Sequence, residues 1–220
     1  MQQWIALFEA ALPVMLKGAG YTVMFAVIAM VLGLALGFVV ALTRVARVPL
    51  LSELAAFYVS AMRGTPLLVQ IFVIYYGLPG VGLELDPVPA GVLALTLNVA
   101  AYLSESLRGG IAGVARGQWD AAFSLGLSWW QTMRFIIAPQ ALRLSVPSLS
   151  NSLISLIKDT SLVSVITVTE LMLATKEVIA QTFQPLPLYL AAAAIYWLLS
   201  AAFERVQQRV ERRLNLAHQR

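Results

Sequence analysis

A long run without a single charged side chain, residues 21–43, constrains this chain more than any other feature. About 20 apolar residues in a helix cross the ~30 Å hydrocarbon core of a bilayer. Further apolar runs follow, so that 60% of the residues are hydrophobic and 12% are charged, whereas soluble domains carry about 25% charged residues. The sequence therefore predicts an all-α membrane protein.

Five apolar segments predict about five transmembrane helices, at residues 21–43, 50–78, 90–107, 145–158 and 188–203. The polar stretches between them are too short for a separate soluble domain, so residues 1–220 form a single transmembrane domain. Gly33 and Gly37 have the spacing that lets a second helix approach closely. Pro66 interrupts the second segment, which predicts either a short span or a bend, with Thr65 as the cap of a helix that starts at Pro66.

The arginines predict the orientation of the chain. With the N-terminus outside, eleven arginines fall on the cytoplasmic side, five of them in the basic tail 205–220, and only Lys17 and Lys176 fall outside. This asymmetry follows the positive-inside rule, which explains the net charge of +4 without nucleic acid. Cysteine is absent, which excludes disulfides and thiolate metal sites.

Residues 117–139, between the third and fourth spans, predict two short helices that project from the membrane. Small side chains at Ala121 and Ala122 allow close approach to a partner surface, and Gly126 can adopt the positive φ that turns the chain. Trp129 and Trp130 would pack against that partner or lie at the lipid interface.

This segment resembles the EAA motif of ABC importer permeases, the loop that docks on the ATP-hydrolysing subunit. The match consists of Asp120 for the acidic residue, Gly126, Ile136 and Pro139, while Ala138 stands where the family has leucine. The resemblance implies the type I importer permease fold with a cytoplasmic coupling helix. It also assigns ATPase coupling to the following residues: Asp120, Ala121, Ala122, Gly126, Ile136 and Pro139.

Other motifs resemble the polar amino-acid branch of these permeases: residues 63–67 (RGTPL), 101–105 (AYLSE), 108–111 (RGGI) and 158–162 (KDTSL). Residues 74–79 (IYYGLP) and 83–87 (LELDP) look most like bacterial cystine permeases. The resemblance therefore implies import of a polar amino acid, with cystine as the first choice and glutamine, histidine or arginine as alternatives.

The sequence has no glycine-rich phosphate loop with its lysine, so the chain is not expected to bind ATP in the standard way or to be an enzyme. The resemblance implies two partner subunits that bind ATP and Mg²⁺, and a periplasmic or lipid-anchored substrate-binding protein. It also implies a second permease, either another copy or a sister chain, in a bacterial inner membrane. No cofactor or metal is expected on this chain.

Charged side chains inside a membrane cost about 2.5–3.5 kcal/mol each on insertion scales, so Glu105, Lys158 and Asp159 are candidates for substrate binding. An amino acid needs an anion for its ammonium group and a cation for its carboxylate. Neutral hydrogen bonds would come from four further residues: Asn98, Tyr102, Thr160 and Ser161. The alternative is structural, since Glu105 lies three residues from Arg108 and can form an ordinary ion pair on the helix.

Two other classes of function remain open at this point. An ion-driven secondary transporter would show internal repeats and paired broken helices, and the chain has no clear repeat. A membrane scaffold without transport activity would have little reason to keep charged side chains within its spans.

Overall fold

The computed structural model describes residues 2–216, and within that range it is built from helices and short connections. The last part of the predicted basic tail, residues 217–220, lies outside the described residues. The α-helices are α1 (Gln2–Val45), α2 (Leu51–Gly64), α3 (Leu67–Phe72), α4 (Pro87–Ala112), α5 (Arg116–Ser124), α6 (Trp129–Thr132), α7 (Ala138–Asp159), α8 (Leu171–Thr182) and α9 (Pro185–Leu216). A π-helical turn and a 3-10 turn extend α3 to Val81, a second π-helical turn joins α6 to α7, and a 3-10 segment follows α7.

Helices α1 and α4 share the most extensive contact of the bundle, and two glycines of α1 allow the close approach. A β-carbon on Gly33 would lie 2.5 Å from Val99 Cγ1, and one on Gly37 would lie 2.8 Å from the carbonyl oxygen of Ala100. The close packing predicted from the spacing of these glycines is confirmed. Because the residue numbers in contact increase together along both helices, α1 and α4 run parallel.

The directions of the helices require five passes across the bundle. Since α1 and α4 are parallel, the bent pair α2 and α3 must carry the chain back between them. Helix α7 runs antiparallel to α4, because Gly91 lies beside Val163 while Ser106 bonds Ser148 at 2.6 Å. Helix α9 then returns beside α7, where Gln207 donates a hydrogen bond to Asn151 at 3.4 Å.

Apolarity and length alone select fewer spans than the five predicted. Within residues 2–216, Leu7–Val45, Pro87–Ala112 and Pro185–Arg212 are long and apolar enough to cross a membrane, and the bent pair can count as a fourth. Helix α7 spans about 33 Å at ~1.5 Å per residue, which is sufficient length, but it is more polar. Helix α1 also begins at Gln2, well before the apolar run at residue 21 from which it was predicted.

The projecting segment contains the predicted pair of short helices, with one difference. Gly126 has φ +77°, which confirms the predicted left-handed turn after α5. Pro139, however, does not follow the end of a helix: it lies in the first turn of α7, directly after the π-helical turn Met133–Ile137 that continues the helix from α6. Apolar contacts among Val114, Met133 and Ile137 hold the segment against the ends of α4 and α7.

A buried carboxylate attaches α8 to α1 and α9. Glu170 is fully buried, caps α8 by accepting from the Leu173 N–H at 2.9 Å, and accepts from the hydroxyls of Tyr196 at 2.6 Å and Thr22 at 3.3 Å. These three donors satisfy a charge that would otherwise be costly to bury. Sequence reasoning did not identify this residue.

Candidate functional site

A cavity of about 510 Å³ lies between α7, α4 and the break between α2 and α3. Its lining combines polar side chains with a few apolar ones: Thr65, Pro66, Leu67, Asn98, Val99, Tyr102, Ser148, Asn151, Ser152, Ser155 and Asp159. The volume falls in the ~300–1,000 Å³ range of small-molecule sites.

The broken helix forms one wall of this cavity. Helices α2 and α3 meet at an angle of 110°, and the chain between them is extended at Thr65 and Pro66. The prediction that Thr65 caps the second helix is wrong. The helix begins at Leu67 after Pro66, and the Thr65 hydroxyl donates back to the Ala61 carbonyl at 2.8 Å.

Gln70 and Asn98 supply the hydrogen bonds that the break removes. The Gln70 amide donates to the carbonyl oxygens of Met62 at 2.9 Å and Thr65 at 3.1 Å, and it accepts from the Asn98 amide at 2.9 Å. Irregular backbone at membrane depth is tolerated where it is satisfied and lines a cavity. Asn98 therefore holds the wall of the cavity in place through Gln70, a residue that sequence reasoning missed.

Helix α7 contributes a polar stripe to the opposite wall. Ser148, Asn151, Ser152, Ser155 and Asp159 recur at intervals of three and four residues, which places them on one face. This stripe is the physical reason why α7 is less apolar than the other long helices. The same spacing is visible in the sequence, but neutral serine and asparagine side chains cost less within a membrane than charged ones and therefore give a weaker signal.

Asp159 is the only carboxylate that lines the cavity, and its lining contains no basic side chain. Lys158 is exposed and is not part of the lining, because one residue along a helix rotates the side chain by about 100°. Within residues 2–216, no group of three or more acidic, histidine or cysteine side chains is arranged to hold a metal ion.

Thr160 and Ser161 follow Asp159 but also lie outside the lining. The Thr160 hydroxyl is buried and donates to the Ile157 carbonyl at 2.8 Å, while the Ser161 hydroxyl donates to the Lys158 carbonyl at 2.7 Å. Both hydroxyls thus satisfy the end of α7 rather than pointing into the cavity.

Glu105 is engaged by three arginines. Its carboxylate accepts hydrogen bonds from Arg44 and, at 2.8 Å, from Arg108, and it lies 3.7 Å from Arg63. This cluster joins the C-terminal ends of α1, α2 and α4 and leaves the carboxylate little capacity for a ligand. Arg63 also lies over the ring of Tyr102, 5.4 Å from its centroid, so the cluster borders the cavity that Tyr102 lines.

The projecting segment exposes apolar side chains at its tip. Phe123 is 46% exposed and Leu125 is 81% exposed, and both lie just before the turn at Gly126. Asp120, Ala121 and Pro139 are also exposed, whereas Ala122 is buried and Ile136 is half-buried against the segment's own core. The segment therefore presents an apolar tip with an adjacent carboxylate to whatever lies beyond the bundle.

Comparison with a protein-family model identifies a match over residues 33–216, to "Binding-protein-dependent transport system inner membrane component". Among curated proteins, the L-cystine transport system permease protein TcyB of Bacillus subtilis (strain 168) is 42% identical, over 96% of this chain and 91% of that protein. The glutamine transport system permease protein GlnP of Escherichia coli (strain K12) is 35% identical, over 97% of this chain and 98% of that protein.

A solved structure matches the fold described above along nearly the whole chain. The crystal structure of an amino acid ABC transporter with histidines superposes with a TM-score of 0.91 at 33% sequence identity. The match covers 96% of this chain and 98% of the other.

Proposed function

The chain belongs to the family of inner membrane components of binding-protein-dependent transport systems, and from this membership we propose that it forms the pathway of an ATP-driven amino-acid importer. Membership implies that ATP hydrolysis and initial substrate capture reside in separate partner chains. The chain itself is a transport component and not an enzyme. An ion-driven secondary transporter would not need such partners, and no observation favours it.

The proposed substrate is a polar amino acid, with cystine first. The 42% identical relative is an L-cystine permease, and the motifs at residues 74–79 and 83–87 support the same choice. Relatives that are 35% identical transport glutamine or arginine, so these remain the alternatives, with histidine beside them. All of these substrates share an ammonium group and a carboxylate.

We assign the passage of substrate to the cavity between α7, α4 and the broken helix. The carboxylate of Asp159 is its single ionisable anion and would pair with the ammonium group of the substrate. The serine and asparagine side chains of the α7 stripe, with Tyr102, would hydrogen-bond the carboxylate and the polar side chain. Asn98 contributes by holding the wall of the cavity.

Coupling is assigned to residues 117–139. ATP binding would bring the two ATPases together and push on the exposed tip at Phe123 and Leu125. The well-packed segment would pass that movement to α4 and α7, which flank the cavity. This arrangement requires two permeases, two ATPases and a cytoplasmic position for the segment, hence an outside N-terminus; two copies of this chain are the simplest pair.

Asp159→Asn, compared with Lys158→Gln, tests the assignment of the cavity. A hydrogen bond to a charged group contributes about 1.5–3 kcal/mol, so the first change should lower the rate of uptake, at saturating substrate and binding protein, by about 10- to 150-fold. Lys158→Gln, one residue away and outside the lining, should leave it within about twofold. Uptake would be measured in vesicles that contain the assembled transporter with its binding protein. Equal effects of the two changes would remove Asp159 from the site.

The substrate is identified by the dependence of ATP hydrolysis on added amino acid. The assembled complex with its binding protein, offered cystine, glutamine, histidine and arginine in turn, should hydrolyse ATP fastest with cystine. Stronger stimulation by another of the four would move the assignment to that amino acid without affecting the role of Asp159.

A further inference from the structure

A second cavity, of about 370 Å³, lies between the ends of α1 and α4 and the segment that leads into α7. Ten of the residues that line it are apolar: Phe38, Ala41, Leu42, Leu107, Ile111, Trp130, Met133, Ala138, Ala141 and Leu142. The one charged residue of the lining is Arg134. A space of this chemistry is unsuited to an amino acid and suited to a hydrocarbon chain.

This cavity lies at the level where two of the spans end. Phe38 and Leu42 belong to the last turns of the span Leu7–Val45, and Leu107 and Ile111 to the last turns of the span Pro87–Ala112. Phe38 and Leu142 are about half exposed, so the cavity opens toward the surface that apolar side chains cover. Its occupant can therefore enter from the hydrocarbon layer.

The residues beside the opening match the boundary of a bilayer. Trp130 is 61% exposed and lines the cavity, whereas Trp129 packs into the core of the segment. Tryptophan is enriched at the level of lipid headgroups. Arg134 is exposed and forms no ion pair with any described residue within 4 Å. Its guanidinium group lies over the Phe135 ring, 5.5 Å from the centroid, which leaves its N–H groups able to bond an anion beside the cavity that it lines with Trp130.

We propose that this cavity binds one acyl chain of an anionic phospholipid, with the lipid phosphate on Arg134. The apolar lining accepts the chain, and the arginine can bond phosphate oxygens in the bidentate geometry that guanidinium groups favour. Arg47 and Arg116, which follow α1 and begin α5 at the same end of the bundle and form no ion pair with a described residue, favour an anionic lipid over a zwitterionic one.

The position of the site gives the lipid a structural consequence. Met133, Ala138 and Ala141 belong to the segment and α7, while Ala41 and Leu107 belong to the spans on the other side. An acyl chain between them fills the gap. It supplies van der Waals contacts that the two sets of side chains do not make with each other. The lipid would thus stiffen the connection between the projecting segment and the bundle.

Photolabelling with a lipid probe tests the proposal. The assembled transporter is placed in phosphatidylcholine nanodiscs with a trace of phosphatidylglycerol that carries a diazirine at the end of one acyl chain, and the labelled residues are located by mass spectrometry. We expect adducts on the lining, with Met133 and Leu142 as the reporters. The same diazirine on phosphatidylcholine should give about fivefold less labelling, the ratio expected from about 1 kcal/mol per interfacial basic residue.

Three variants separate the site from general contact with lipid. Arg134→Gln should lower labelling by phosphatidylglycerol about fivefold, and Arg143→Gln, an exposed arginine on α7 outside the lining, should leave it unchanged. Ala138→Phe should remove the adducts by filling the cavity. Equal labelling by both lipids, no effect of Arg134→Gln, or a lining that stays unlabelled in the assembled transporter, as expected if a second permease copy covers it, would each overturn the proposal.

Discussion

At the scale of single residues, the bundle depends on a few buried polar groups that each bridge several helices. Glu170 connects three of them, because its carboxylate receives a backbone N–H of α8 and hydroxyl groups from α1 and α9. The hydrogen bond from Tyr196 is the shortest of the three, at 2.6 Å. Removing the Tyr196 hydroxyl would leave the buried Glu170 carboxylate with one hydrogen-bond donor fewer.

Tyr196→Phe should therefore destabilise the protein by about 1.5–3 kcal/mol, the usual contribution of a hydrogen bond to a charged group. Tyr189→Phe is the matched control, because Tyr189 lies on the same helix, is 43% exposed and has no hydrogen bond to a described residue. Thermal unfolding in one detergent or nanodisc would show a lower Tm only for the first variant. A similar Tm for both variants would mean that the hydrogen bond from Tyr196 to Glu170 does not contribute to the stability of the protein.

At this scale, the sequence draws attention to residues whose charge is costly within a membrane. The charges at Glu105 and Asp159 stood out, but only the structure shows that arginines surround the first while the second lines the cavity. Gln70 and Glu170 were missed because their partners, Asn98 and Tyr196, are distant in the chain. No local sequence pattern predicts a contact between residues so far apart.

At the scale of helices, two glycines have different roles. One lets α1 and α4 approach closely, and the other allows the chain to turn after α5. Gly37 faces the backbone of α4, so even a methyl group there would require α1 and α4 to separate. Gly126 instead supplies a backbone conformation, with φ +77°. The two positions call for different tests.

Gly37→Ala should destabilise the protein by about 1–3 kcal/mol through overpacking, even though alanine favours helices over glycine by up to about 1 kcal/mol. Gly20→Ala, on the same helix with nothing within 4 Å of the added carbon, should be neutral or stabilising. Unfolding of the two variants in the same nanodisc measures the difference. A Gly37→Ala protein as stable as Gly20→Ala would contradict the close packing of α1 and α4.

Gly126→Val should uncouple ATP hydrolysis from transport, because a β-branched residue is strained at positive φ. Gly126→Asn should retain most of the coupling, since asparagine tolerates the left-handed region. Gly117→Ala is the control within the same segment, in open space and without positive φ. The ratio of substrate imported to ATP hydrolysed in proteoliposomes reports the coupling. If the Gly126→Val and Gly126→Asn variants had the same ratio, the backbone conformation at Gly126 would not govern the coupling.

The helices themselves were predictable to different degrees. The apolar runs located α1, α4 and α9, because lipid demands a continuous apolar surface. The 110° bend between α2 and α3 was one of two alternatives that Pro66 left open, since its resolution depends on the bonds of Gln70. Helix α7 was predicted at the right place, yet its polarity is explained only by the cavity that it faces.

At the scale of the whole molecule, the direction of the helices sorts the structure into two ends. The start of α1 packs with α8 and the start of α9, whereas the end of α1 lies near the projecting segment. Because the chain crosses the bundle five times, the start of α1 and the end of α9 lie on opposite sides of the membrane. The proposed function requires the side that carries residues 117–139 to face the cytoplasm, where an ATPase would dock on it.

Labelling of an introduced cysteine tests this claim most directly, because the natural chain has none. Ser124→Cys changes one exposed atom at the tip of the segment, and Val81→Cys, at a position that is 75% exposed in the connection before α4, reports the opposite end. An impermeant maleimide should label Cys at position 124 only in inside-out vesicles, less when the ATPase is bound, and Cys at position 81 only in right-side-out vesicles. Labelling of position 124 from the outside would contradict the account.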